Sequence, residues 1–93
     1  MELLRPFFSS KMRIKLMRLF IMNPRRRFYL REIAKLLRGP LTPIRRELLN
    51  LKKAGFLRRV KVANLIYYDL DPNFLLYQEF KSMIEKSESF GFL

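Results

Sequence analysis

Between residues 39 and 56 the chain reads GPLTPIRRELLNLKKAGF, a stretch that permits one helix and fixes both of its ends. Proline is tolerated in a helix's first turn, where backbone N–H groups have no intrahelical partner, and is disruptive deeper in. Pro40 and Pro43 therefore confine the start, either at Pro40 itself or with Thr42 as the side-chain cap and Pro43 as the first helical residue. Gly55 suits a left-handed C-terminal cap, with Phe56 folding back on Leu51. Inside those limits Ile44, Leu48 and Leu51 recur at helical spacing and form a buried stripe. The opposite side carries Thr42, Pro43, Arg46, Leu49, Asn50 and Lys53, with Arg45 on a flank.

Similar punctuation divides the rest of the chain. Ser9 or Ser10 caps a helix through SKMRIKLMRLFIMN, and Asn23-Pro24 ends it, because proline disfavours the helical state of the residue before it. Its apolar residues sweep more than half the circumference, so it packs against its own core and also against the last helix or a partner subunit. Phe28-Tyr29-Leu30 reads as a short strand after the loop Arg25-Arg26-Arg27. REIAKLLR follows as a two-turn helix with Ile33, Leu36 and Leu37 inward and the small Ala34 allowing close approach of a neighbour. FLRRVKV and LIYYDL, separated by Ala63-Asn64, form a hairpin in which Asn64 takes the positive φ and only one of Tyr67 and Tyr68 faces inward. Asp71-Pro72 caps a last helix at about 73–86, followed by an apolar tail, 87–93, containing Phe90, Phe92 and Leu93. The fold class is α+β, mostly helical, in the order helix, strand, helix, helix, strand, strand, helix, and residues 1–93 form a single domain.

Charge narrows the function. The net value is +12, and residues 11–61 hold 17 Lys and Arg against Glu32 and Glu47, whereas the balance from Ala63 onward is negative. A polyanion is gripped by the first two thirds and left alone by the last. The absence of cysteine and histidine removes thiol chemistry and most transition-metal sites, so no metal or cofactor is expected. Catalysis has little to work with, since Glu32 and Glu47 serve as ordinary salt-bridge partners. Lys11, Arg13, Lys15 and Arg18 interrupt every apolar run near the start, which excludes a membrane span and gives a cytoplasmic expectation.

Taken in order, SKMRIKLMRLFIMNP, FYLREIAKLL, TPIRRELLNLKKAGFL and YYDLDPNFLLYQEF resemble the ArsR-like winged helix-turn-helix transcription regulators of prokaryotes, in particular a small archaeal and bacterial group sometimes fused to nucleotidyltransferase domains. The resemblance implies a winged helix-turn-helix in which the helix at about 41–54 enters the DNA major groove. It also implies groove contacts at Leu41, Thr42, Pro43, Arg45 and Arg46. Two departures stand out. The family usually has glycine where Arg38 stands, and Gly39 comes one residue later, which predicts a differently shaped turn; the wing tip VANLI lacks the usual glycine and arginines and leaves Lys61 as the nearest cation.

Arginine near a helix N-terminus can donate two hydrogen bonds to guanine O6 and N7, which makes Arg45 and Arg46 the leading base readers. Lys11, Lys15, Arg18, Arg25, Arg26, Arg27, Arg31, Lys35, Lys53, Arg58, Arg59 and Lys61 are the candidate phosphate partners. The expected function is a sequence-specific double-stranded DNA-binding transcription regulator. A homodimer is expected, built from the terminal helices through Ile14, Met17, Ile21, Tyr77, Phe80, Met83 and Ile84. The alternatives are a protein-protein adaptor, favoured by the weakly charged wing tip, or an accessory module that binds DNA or RNA.

Overall fold

The computed structural model describes residues 10–89. It comprises α1 (Lys11–Met22), β1 (Phe28–Tyr29), α2 (Leu30–Leu37), α3 (Leu41–Lys53), β2 (Leu57–Val62), β3 (Leu65–Leu70) and α4 (Tyr77–Ser89). This is the expected order. The strands form one antiparallel sheet in the order β1-β3-β2. Phe28 pairs with Tyr68, and β2 and β3 run in register from Leu57 opposite Leu70 to Val62 opposite Leu65.

Ser10 caps α1, its hydroxyl accepting from the Arg13 N–H at 2.9 Å. Asn23 closes the other end, donating from its side chain to the Leu19 carbonyl at 2.8 Å. The wide apolar surface of α1 is used twice within one chain. Leu16, Met17, Phe20 and Ile21 are buried, and Ile14 and Met17 border a small gap of about 30 Å3 shared with Phe80, Met83 and Ile84 of α4. The second neighbour of α1 is thus the last helix. Of the residues expected at a dimer interface, Met17, Ile21, Phe80 and Ile84 are covered by their own chain, and only Ile14, Tyr77 and Met83 keep surface for a partner.

Leu30 opens α2 rather than ending β1, and Glu32 reaches back to accept from the Tyr29 N–H, as in a capping box. Leu36, expected inward, is 51% exposed. The inward face of α2 is made by Ile33, Leu37, Leu30 and Ala34, and Leu36 falls roughly 110° round the helix from its centre.

The joint between α2 and α3 is closed by a left-handed residue. Arg38 itself is left-handed (φ 52°, ψ 46°), and Gly39 N–H donates to the Ala34 carbonyl at 3.0 Å, the long bond of a Schellman cap. Gly39 serves a different need: a Cβ there would lie 3.1 Å from both Ile44 Cδ1 and Met12 Cε. Handedness at 38 and clearance at 39 are separate requirements. Because a left-handed non-glycine residue costs about 1 kcal/mol or slightly more, Arg38→Gly is expected to raise the unfolding temperature by about 4 °C, as thermal denaturation followed by circular dichroism will show. An unchanged or lower midpoint would mean that the arginine side chain stabilises the joint by at least that much.

Pro40 is the N-cap of α3, with Thr42 and Pro43 in the first turn. At the far end Gly55 is left-handed (φ 82°), Phe56 N–H donates to the Leu51 carbonyl at 3.0 Å, and both side chains are fully buried. Ile44, Leu48 and Leu51 join Leu16, Phe20, Phe28, Ile33 and Phe56 in the core. In the hairpin turn it is Ala63 (φ 55°), not Asn64, that takes the positive φ. Only the first position of this two-residue connection turns left, as in a type II′ turn.

The last helix begins at Tyr77, later than position 73. Asp71 caps a turn instead, its carboxylate accepting from the Asn73 N–H at 2.8 Å and its carbonyl from the Phe74 N–H at 3.1 Å. Phe74 is thereby set edge-on against Phe56 at 5.0 Å and Phe80 at 5.3 Å, a placement that helical continuation from 73 does not give. Phe90, Phe92 and Leu93 of the apolar tail lie outside the described residues. None of the described helices is long and apolar enough to cross a membrane.

Candidate nucleic-acid interface

With Ile44, Leu48 and Leu51 committed inward, helical geometry turns Leu41, Thr42, Arg45, Arg46, Leu49 and Lys53 outward, and all six are exposed; Pro43 is half-buried. Leu41, Arg45 and Leu49 form one row at spacings of four, with Leu41 39% and Leu49 37% exposed. Arg45 and Leu49 border a shallow hollow of about 200 Å3 together with Leu30, Arg59, Ile66 and Tyr68. The structure therefore brings Arg45 of α3 and Arg59 of β2 to one hollow. Lys61 lies on the same face of β2 as Arg59 by strand alternation, opposite Ile66.

Arg58 points the other way. Its guanidinium makes a two-bonded fork with Asp69 at 2.9 Å for each contact, and Arg27 Nε lies 3.6 Å from the same carboxylate. Asp69 raises the Arg58 pKa above its ordinary value, first through the hydrogen bonds and then through its charge. Arg25, Arg27 and Arg58 line a larger hollow on that far side of the sheet. Arg26 bonds Glu32 at 2.7 Å and sits 4.5 Å over the Phe28 ring. The candidate phosphate partners thus divide: Arg59 and Lys61 flank α3, Arg25, Arg27 and Arg58 gather behind the sheet, and Lys11, Lys15, Arg31, Lys35 and Lys53 stand exposed on helices, with Arg18 half-buried. Tyr68 is buried, and Tyr67 rests edge-on against Tyr29 at 5.8 Å, the buttressing arrangement.

Besides its buried stripe, α3 is tied to α1 by a polar cluster centred on Glu47. Arg13 Nε of α1 donates to its carboxylate, the two side chains being only 11% and 13% exposed. The Ser10 hydroxyl and the Asn50 amide lie at 3.4 Å as further donors. This cluster fixes the rotation of α3 relative to α1.

By sequence the chain matches neither a family profile nor a curated protein. By structure it is similar to HlyU from Vibrio cholerae N16961 (TM-score 0.69, 18% identity, 96% of this chain and 88% of that one). It is also similar to the transcriptional repressor PagR of Bacillus anthracis (0.68, 19%, 91% and 87%) and to the ArsR family transcriptional regulator RHA00566 (0.59, 16%, 97% and 92%). The fold is a winged helix-turn-helix.

Within this winged helix, α2 and α3 are the helix pair and the β2-β3 hairpin is the wing. The wing tip, Val62 to Leu65, is exposed and uncharged, with Lys61 beside it. Two exposed cations at the ends of α3 are absent from the expected contacts. Lys52 lies in the last turn of α3, and Arg38 stands at the joint immediately before it. Arg38 was legible only as a missing glycine, because nothing local distinguishes a tolerated left-handed arginine from a reshaped turn.

Proposed function

We propose that the chain is a sequence-specific double-stranded DNA-binding transcription regulator, acting in the cytoplasm, that lays α3 in the major groove. One observation carries the reading: Arg45 and Arg46 project from the outward face of a helix that starts after Pro40, ends before Gly55 and is anchored through Glu47, with Arg59 beside Arg45. An α-helix fits the major groove, where an arginine fork reads guanine and an apolar side chain meets the thymine methyl. Arg45 then reads a base between Leu41 and Leu49, which supply apolar contacts, while Thr42, Pro43 and Arg46 border the same groove. Lys53, Arg59, Lys61, Arg31 and Lys35 hold phosphates. A two-fold pair through Ile14 and Met83 places two such helices about 34 Å apart on one duplex face.

The test is competition binding of duplex DNA, single strands and RNA at two salt concentrations, with the number of chains per duplex read from the same titrations. Duplex preference is expected, with about six phosphates contacted, a log-log salt slope near −5, and two chains per site. Equal binding of all three nucleic acids removes the sequence-specific regulator. Loss of all binding leaves the protein-protein adaptor, which the exposed apolar Val62 and Leu65 of the wing tip favour.

A further inference from the structure

The hollow behind the wing takes no part in that reading. It is an open depression of about 520 Å3, a volume in the range of small-molecule sites, and Arg25, Arg27, Arg58, Asp69, Phe74 and Tyr77 form most of its wall. We propose that it binds a phosphomonoester carried on a flat ring, the phosphate on Arg25 and Arg27 and the ring against Phe74 and Tyr77.

The charge arrangement selects the anion. A guanidinium carries five N–H donors, and a carboxylate can be satisfied by one such fork. Asp69 is satisfied in this way: Arg58 takes both of its oxygens at 2.9 Å. Arg27 is left 3.6 Å from that carboxylate, beyond hydrogen-bond distance, so it is drawn to the hollow by charge while its donors remain available. Arg25 is exposed and makes no ion pair with any described residue. Asp71, the other carboxylate at the rim, already accepts from the Asn73 N–H, which leaves three arginines facing two aspartates in the lining.

A carboxylate brings only two oxygens and a single charge to these two side chains. A phosphomonoester offers three terminal oxygens in a tetrahedral array that can accept from both. The remaining wall is apolar. Phe74 is held by its edge-on contact with Phe56 and Tyr77 stands at the start of α4, and both are half-buried, so a ring attached to the phosphate can cover them. The occupant is a small molecule and not the duplex proposed for α3, because Arg58 and Asp69 lie on the opposite face of the hairpin from Arg59 and Tyr68.

The experiment is isothermal titration calorimetry of the full chain with phenyl phosphate, inorganic phosphate and benzoate. Phenyl phosphate is expected to bind one per chain, and about tenfold or more tighter than either of the others. Arg25→Ala together with Arg27→Ala, both at exposed positions, should weaken it by about tenfold or more, whereas Arg45→Ala with Arg46→Ala should leave it unchanged. Circular dichroism of each variant verifies the fold, and if the first pair proves unfolded, the substitutions Arg25→Gln and Arg27→Gln give the same reading. Absence of saturable binding, equal loss in the two pairs of variants, or equal affinity for all three probes overturns the proposal. None of these outcomes depends on whether α3 binds DNA.

Discussion

A chain carrying Arg45→Ala and Arg46→Ala is expected to bind its preferred duplex about 100-fold or more weakly than the parent, with its unfolding temperature almost unchanged. A bidentate contact to guanine discriminates by about 1 to 3 kcal/mol, so loss of the Arg45 reader together with Arg46 at the edge of the groove produces a change of that order. Both side chains are exposed, and substitutions at such surface positions shift stability by only about 0.5 kcal/mol. Fluorescence anisotropy on a duplex selected from a random pool makes the measurement. The informative comparison is with an unrelated duplex. If the two affinities fall by the same factor, the arginines hold phosphates and read nothing, and specificity must come from elsewhere. The row Leu41, Arg45, Leu49 adds a finer expectation. Replacing thymine by deoxyuridine next to the guanine that Arg45 reads removes the methyl group and should weaken the parent by a few-fold, but leave Leu41→Ala with Leu49→Ala indifferent.

The second large effect concerns Glu47. Glu47→Ala leaves Arg13 in a site where it is only 11% exposed, without its carboxylate partner and with the Ser10 and Asn50 donors turned toward an empty position. Breaking such a nearly buried pair costs about 3 kcal/mol, which for a domain of this size lowers the unfolding temperature by roughly 12 to 20 °C. Replacing both partners together, Arg13→Met with Glu47→Leu, should recover most of that loss, because no charge is then left stranded. Calorimetric melting of the three variants decides the matter. A single-variant loss below about 1 kcal/mol would class the pair with ordinary surface bridges.

These two sites show what could be read from residues alone. The capped helix around Arg45 and Arg46 was legible because its start, stop and buried stripe all lie within one short stretch, where proline, glycine and apolar spacing agree. The hairpin was legible for the same reason. The Arg13–Glu47 pair was not, since its partners stand on different helices and no local pattern links them. Arg38 and Ala63 escaped because the rule that assigns left-handed backbone to glycine and asparagine is a preference, which a closing hydrogen bond in one case and a short hairpin in the other override. The delayed start of α4 escaped because Asp71-Pro72 signals a turn and a helix cap equally well, and the contacts of Phe74 with Phe56 and Phe80 choose between them only in three dimensions. Leu36 was misplaced by counting apolar spacings without weighing which side of a two-turn helix the core occupies.

The joint before α3 has one more implication. Two demands fall on neighbouring positions there, and the chain answers the spatial one with its glycine, leaving the rotational one to a long cationic side chain. Exchange between the two positions is opposed, since an arginine Cβ at 39 would press on the tips of Met12 and Ile44 at 3.1 Å. The hinge therefore has a single writable letter, at 38, where chemistry can be altered at the mouth of the proposed groove-binding helix without disturbing its angle of entry.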